Sequence, residues 1–139
     1  MQMTRFQKTT LVLSGVTALA IGAFILFAPH AFYASYGIAL GTDPNLLSEL
    51  RAPGAGLAAL GGLMLSGVFR PTWATVALVA ALTVYLAFPL GRIVSLALDG
   101  MPSGSVMGAL AIEVVLAGLC IAAFTGRSAH PNGATEPQT

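Results

Sequence analysis

The sequence predicts an all-α integral membrane protein, a four-helix bundle with up-down-up-down topology. One reason is composition: 56% of the 139 residues are hydrophobic and 8% are charged, whereas soluble domains contain roughly 25% charged residues. The other reason is that the apolar residues form four segments, each close to the roughly 20 residues that a transmembrane helix needs. A soluble domain with so few charged side chains could not cover its surface with polar groups.

The four predicted spans follow the apolar segments along the chain. They cover residues 10–28, 52–69, 72–98 and 105–124. The second span is short, and Asp43 followed by Pro44 offers an N-cap and a first helical residue for an earlier start. The spans predict a cytoplasmic N-terminus over residues 1–9, a transmembrane domain over 10–124 and a disordered, polar cytoplasmic tail over 125–139.

Basic residues in short loops indicate the orientation of the spans. With the N-terminus in the cytoplasm, the inner side carries Arg5, Lys8, Arg70 and Arg127. The outer loops then hold Asp43, Glu49 and Asp99, with Arg51 as their basic residue. This distribution predicts that both termini are cytoplasmic. The first span also resembles a signal peptide, but it is longer than a usual h-region, so we interpret it as a retained helix.

Arg92 and Glu113 are charged residues inside the predicted spans. Arg92 lies about 9 Å from the end of the third span and Glu113 about 12 Å into the fourth, at the helical rise per residue. The short loop between these spans makes them antiparallel neighbours. We therefore expect the two side chains to pair, because a lone charge at mid-helix costs about 2.5–3.5 kcal/mol on insertion scales.

The outer half of the bundle is predicted to gather a larger charge cluster. Its members are Glu49, Arg51, Arg92, Asp99 and Glu113. Three acids against two arginines leave one carboxyl to be protonated or balanced by a cation or a basic ligand. The cluster is either a pocket that binds a small molecule or ion, with Arg51, Arg92 and Glu113 around it, or a clasp that fixes helix register. The clasp would suit an accessory structural subunit of a larger membrane complex.

Small residues and aromatic residues supply the remaining predictions. Steps of three and four residues predict close helix packing at Gly56, Gly62, Gly104 and Gly108. Such faces also suit a homo-oligomer or a partner membrane protein in the bilayer. The aromatic residues Phe32, Tyr33 and Tyr36 follow the first span, and we interpret them as anchors among lipid headgroups, with ligand stacking as the alternative.

The composition argues against several function classes. The net charge of +1 and the lack of a basic cluster argue against nucleic acid. The single cysteine, Cys120, cannot form an internal disulfide, a CxxC pair or a zinc site. With only His30 and His130 and no HExxH motif, we expect no metal and no cofactor. Enzyme activity is not predicted, although acid–base chemistry by Glu113 and Asp99 stays open.

Three segments, SELRAPGAGLAALGGLML, GRIVSLALDG and IEVVLAG, resemble a bacterial family of small integral membrane proteins. This family is described only as a domain of unknown function (four-three-four-five). The resemblance covers residues 10–124 and falls on Glu49, Arg51, Gly56, Arg92, Asp99, Gly100 and Glu113. It implies a four-helix protein of the bacterial cytoplasmic (inner) membrane, and it implies no activity.

Overall fold

The computed structural model describes residues 2–125, and all regular structure in this part of the chain is helical. The helices are α1 (Arg5–Phe27), α2 (Pro29–Ala34), α3 (Pro44–Phe69), α4 (Ala74–Asp99) and α5 (Gly104–Thr125). A 3₁₀ turn, Pro71–Trp73, leads into α4. The predicted tail lies outside the described residues from 126 onward, and Arg127 and His130 lie there with it.

The prediction of a helical bundle is confirmed. Four of the helices are long and apolar enough to cross a membrane, with the 3₁₀ turn extending α4 to 29 residues. The outer surface of the bundle is correspondingly apolar, and it includes Leu13, Ile93 and Val115. A lipid bilayer is the environment that would cover such a surface. The short helix α2 was not predicted, and it begins at Pro29, separated from the end of α1 by the single residue Ala28.

Local sequence determines where two of the long helices begin. The Thr4 side chain accepts from the Gln7 N–H, and the Gln7 side chain accepts from the Thr4 N–H, which makes a capping box at the start of α1. The Asp43 carboxylate accepts from the Asn45 N–H, with Pro44 at the first helical position of α3. The earlier start predicted for the second span is therefore confirmed.

The long helices form a closed ring in the order α1, α3, α4, α5. The most extensive contact is between α1 and α3. Across the ring α1 also contacts α4, whereas α3 and α5 do not contact each other. We call the end that carries α2 and the α4–α5 loop the α2 end, and the opposite end, with the α3–α4 turn, the Trp73 end.

Glycines allow α1 and α3 to approach closely. A Cβ on Gly15 would lie 3.0 Å from the Gly61 carbonyl oxygen, and one on Gly22 would lie 2.6 Å from the Gly54 carbonyl oxygen. The glycines are seven residues apart on each helix, so they lie on one face of α1 and one face of α3. This contact is the close packing of backbones that small residues permit in membrane helices.

The glycines that the sequence analysis singled out lie elsewhere. A Cβ on Gly56, Gly62, Gly104 or Gly108 would meet no atom within 4 Å. The packing role predicted for these four glycines is therefore not found within one copy of the chain. Small residues at steps of three and four occur on both faces of α3. The buried face is the one that packs against Gly15 and Gly22.

Buried polar side chains join α1 to α4 and to α5. The Tyr85 hydroxyl donates to the Ser14 carbonyl oxygen at 2.6 Å, and Gln7 Nε2 donates to the Ala123 carbonyl oxygen at 2.9 Å. The Ser14 hydroxyl and the Cys120 thiol are 3.4 Å apart. These bonds lie in the half of the bundle nearer the Trp73 end. They give hydrogen-bond partners to polar groups that would find none among apolar side chains or lipid.

We predict that Gly61→Ala lowers the free energy of unfolding by about 1–3 kcal/mol, because its Cβ would collide with the α1 backbone. The adjacent variant Gly62→Ala is the control, since it adds a Cβ in open space and improves helix propensity. Both are measured by equilibrium unfolding in mixed micelles. Equal stability of the two variants would contradict the described α1–α3 contact.

Candidate functional site

A two-point ion pair joins α4 and α5. Arg92 Nε donates to Glu113 Oε2 at 2.8 Å, and Arg92 Nη2 donates to Glu113 Oε1 at 3.0 Å. Two parallel bonds of this kind fix the guanidinium and the carboxylate in one plane and are stronger than a single contact. The pairing expected from the sequence is therefore present.

The ion pair lies well inside the span of both helices. Arg92 is about 10 Å from the C-terminus of α4 and Glu113 about 14 Å from the N-terminus of α5, at the helical rise per residue. Their side chains are 29% and 15% exposed. Among residues 2–125, the remaining guanidinium nitrogen, Nη1, makes no hydrogen bond with the protein. The pair therefore keeps unused donor and acceptor capacity.

The other three charged residues of the predicted cluster do not join this pair. Arg51 donates through Nη1 to the carbonyl oxygen of Leu26, near the C-terminus of α1. The Asp99 carboxylate accepts from the Ser95 hydroxyl at 2.9 Å, and Glu49 is exposed. Within residues 2–125 the Arg92–Glu113 contact is the one ion pair. The prediction of a five-residue buried cluster is wrong.

Helix arrangement explains why the cluster does not form. Glu49 and Arg51 lie on α3, which is diagonally opposite α5 in the ring and has no contact with it. Arg51 instead satisfies a carbonyl that helix geometry leaves without a partner at the end of α1. Asp99 lies at the exposed end of α4, with a serine one turn away as its partner. Because the paired charges are balanced, nothing in this arrangement calls for an additional cation.

A cavity of about 470 Å³ lies beside the ion pair, between α1, α4 and α5 at the α2 end. Arg92 and Glu113 are the charged side chains of its wall. Most of the remaining wall is apolar, and the helix α5 contributes the small residues Ser105, Gly108 and Ala109. Gly108 is thus a cavity residue rather than a packing residue.

Aromatic side chains from α2 and the loop after it line this cavity at the α2 end. The Phe32 ring packs edge-on against Phe24, Tyr33 and Tyr36, with centroids 5.1–5.4 Å apart. All except Phe24 line the cavity together with Arg92. Burial raises the pKa of Tyr33 above its ordinary value, Tyr36 adds to this and the Arg92 charge opposes it, so Tyr33 stays a neutral hydroxyl.

From the sequence alone we interpret these aromatic residues as headgroup anchors, with ligand stacking as the alternative. Their position on the cavity wall depends on α2, which turns the chain back over the bundle directly after α1. Pro29 at the first helical position was the available signal for this second helix. A proline one residue after a predicted span is typical of both a helix stop and a new start.

Arg92 also borders a second depression. A groove of about 500 Å³ lies between α4 and α5 and is lined by Gly91, Ser95 and Met107 among others. Glu113 lines the cavity between α1, α4 and α5 but not this groove. Within residues 2–125 no group of three or more His, Cys, Asp or Glu side chains is placed to hold a metal ion.

The model of a protein family described as "Domain of unknown function (DUF4345)" matches residues 6–124. The chain belongs to the DUF4345 family. The match begins one residue after the start of α1 and ends one residue before the end of α5. It therefore covers the bundle except for these two terminal residues, together with the ion pair and the cavity. The search of curated proteins and the search of solved structures returned no match.

We predict that Arg92 and Glu113 are energetically coupled. Arg92→Gln and Glu113→Gln should each destabilise the bundle, because each leaves one charge without its partner, and the double variant should lose less than the sum. The expected coupling is about 1–2 kcal/mol, at the upper end of interhelical polar contacts in membranes. The measurement is a double-mutant cycle of unfolding free energies in micelles or bicelles.

Glu49→Gln is the control for this cycle. It removes an acid from an exposed position, so its effect should stay within roughly 0.5 kcal/mol. Strictly additive effects of the two substitutions in the ion pair would show that the contact contributes nothing to stability.

Proposed function

We propose that this DUF4345 protein binds an uncharged, largely apolar small molecule in the cavity between α1, α4 and α5. The observation that carries the proposal is that one mostly apolar cavity touches both members of the Arg92–Glu113 pair. Apolar cavities with a few convergent polar groups are the usual form of small-molecule sites. Ionisable residues within membrane helices commonly mark such sites.

The charge balance of the site favours a neutral ligand. Arg92 and Glu113 already neutralise each other through two hydrogen bonds, so an anion or a cation would leave one charge uncompensated. A hydroxyl group suits the pair better, because it can accept from the free Arg92 Nη1 and donate to a carboxylate oxygen of Glu113. The role of Arg92 and Glu113 is then to orient the polar group of the ligand.

The remaining wall suits the apolar body of such a ligand. Phe32, Phe88 and Ile112 offer hydrophobic contact. Tyr33 and Tyr36 line the same wall and bring hydroxyl groups to it. The absence of a side chain at Gly108 leaves the space open. The aromatic residues thus form the wall of the site at the α2 end, which is the ligand-stacking alternative and not the headgroup anchoring that we interpret from the sequence.

The proposal includes a location, the bacterial cytoplasmic membrane with both termini in the cytoplasm. Arg5, Lys8 and Arg70 lie at the Trp73 end of the bundle, and basic residues are enriched on the cytoplasmic side of membrane proteins. Trp73 is half-exposed at the same end, as interfacial tryptophans commonly are. The cavity then lies in the outer half of the membrane.

The second candidate function is that of an accessory structural subunit, with Arg92–Glu113 as a helix clasp. The direct two-point contact of the pair favours this role. So does the outer face of α3, where Ala55, Ala59 and Gly62 are exposed and would let another helix approach. Purification in mild detergent distinguishes the candidates, because an accessory subunit brings a constant partner protein with it.

We predict that Gly108→Leu weakens ligand binding by filling the cavity. The probe is monooctanoylglycerol, which has hydroxyl groups and a short chain, titrated onto the protein in nanodiscs and detected by native mass spectrometry. The affinity should fall about tenfold or more, which corresponds to about 1.4 kcal/mol. Gly62→Leu, the same change at an open glycine on α3, should bind like the unmodified protein.

Charged analogues of the probe provide a second comparison. Octanoate and octylamine should bind more weakly than monooctanoylglycerol, since each brings an uncompensated charge to the ion pair. The proposed function is wrong if the unmodified protein binds none of the three, or if Gly108→Leu and Gly62→Leu bind monooctanoylglycerol equally well.

A further inference from the structure

The contact between α1 and α5 is uneven along its length. At the Trp73 end the helices are joined by the Gln7–Ala123 and Ser14–Cys120 contacts. Toward the α2 end no hydrogen bond joins them within residues 2–125, and the cavity lies between them. A Cβ on Gly108 would meet nothing there. The two helices are therefore closed together at one end and open at the other.

A groove on the outer surface continues this opening. It has a volume of about 370 Å³, lies between α1 and α5, and is lined by Leu13, Val115 and Leu119 among others. Leu13 and Val115 are 49% and 62% exposed on a face that a bilayer would cover. Thr17 and Ile112 line both this groove and the cavity. The cavity and the lipid-facing groove are thus adjacent and share these two side chains as their border.

We propose that the ligand is a single-chain lipid amphiphile that enters the cavity sideways from the bilayer between Thr17 and Ile112. The uncharged headgroup contacts Arg92 and Glu113. The acyl chain passes between Thr17 and Ile112 and lies in the α1–α5 groove. This inference rests on the proposed function, and it specifies the ligand class and the route. A groove between two helices accommodates one chain, so a single-chain lipid fits it better than a two-chain phospholipid.

The groove between α4 and α5 is the competing route. It also reaches Arg92, but the ion pair spans α4 and α5 at this point, with bonds of 2.8 and 3.0 Å between them. Passage there would require the pair to break inside the membrane, which is costly. Passage between Thr17 and Ile112 breaks no ion pair, because the hydrogen bond of the Thr17 hydroxyl there is to the Leu13 carbonyl oxygen within α1 itself. The α1–α5 route is therefore favoured.

Photoaffinity labelling tests the inference. The probe is a monoacylglycerol with a diazirine at mid-chain, incorporated into nanodiscs with the full-length protein, and the adducts are located by mass spectrometry. Adducts on Val115 and Leu119 should disappear with an excess of monooctanoylglycerol. They should also be lost in Gly108→Leu, which fills the headgroup site, and be retained in Gly62→Leu.

The labelling pattern separates this inference from the proposed function. Competitor-sensitive adducts confined to Met107 and Leu110 would place the chain in the α4–α5 groove and overturn the proposed route. Adducts on Val115 and Leu119 that no competitor reduces would show bulk lipid contact and would equally overturn it. In both cases monooctanoylglycerol would still bind in the titration, whereas its failure to bind would remove the proposed function itself.

Discussion

The pairing of Arg92 with Glu113 is the constraint on which the rest of the arrangement depends. Either side chain alone would carry an uncompensated charge about 10 Å or more inside a membrane helix. Two parallel hydrogen bonds between them fix the relative height and rotation of α4 and α5. Once this register is set, the same pair forms one wall of the cavity at the α2 end. Stability and the proposed binding site therefore depend on one contact.

The other half of the architecture is the tight α1–α3 contact. Gly15 and Gly22 meet Gly61 and Gly54 so closely that the two backbones touch, while the hydrogen bonds of Gln7 and Ser14 hold α1 against α5 only near the Trp73 end. The helix α1 is thus held to α3 along its length and to α5 over part of it. The space that remains between α1 and α5 is the cavity, which α2 then covers.

The spans and the ion pair could be predicted from the sequence because both follow from the hydropathy of single segments and the length of one loop. Hydropathy determines where a span lies, and a short loop makes α4 and α5 neighbours, so equal depth implied contact for Arg92 and Glu113. The five-residue cluster was wrong because it required knowing that α3 and α5 are diagonal in the ring. The choice between Gly61 and Gly62 likewise depends on which face of α3 meets α1, and spacing alone does not distinguish two small-residue faces of one helix.

The most direct test of the account is a distance measurement between the two charged groups in a bilayer. Solid-state NMR on the protein with ¹⁵N-arginine and ¹³C-labelled glutamate carboxyls should show strong dipolar coupling between a guanidinium nitrogen and a carboxylate carbon. That coupling should vanish in Arg92→Lys and persist in Arg51→Lys, because Arg51 binds a backbone carbonyl instead. No coupling in the unmodified protein would mean that Arg92 and Glu113 are apart in the membrane, which would contradict the ion pair between α4 and α5.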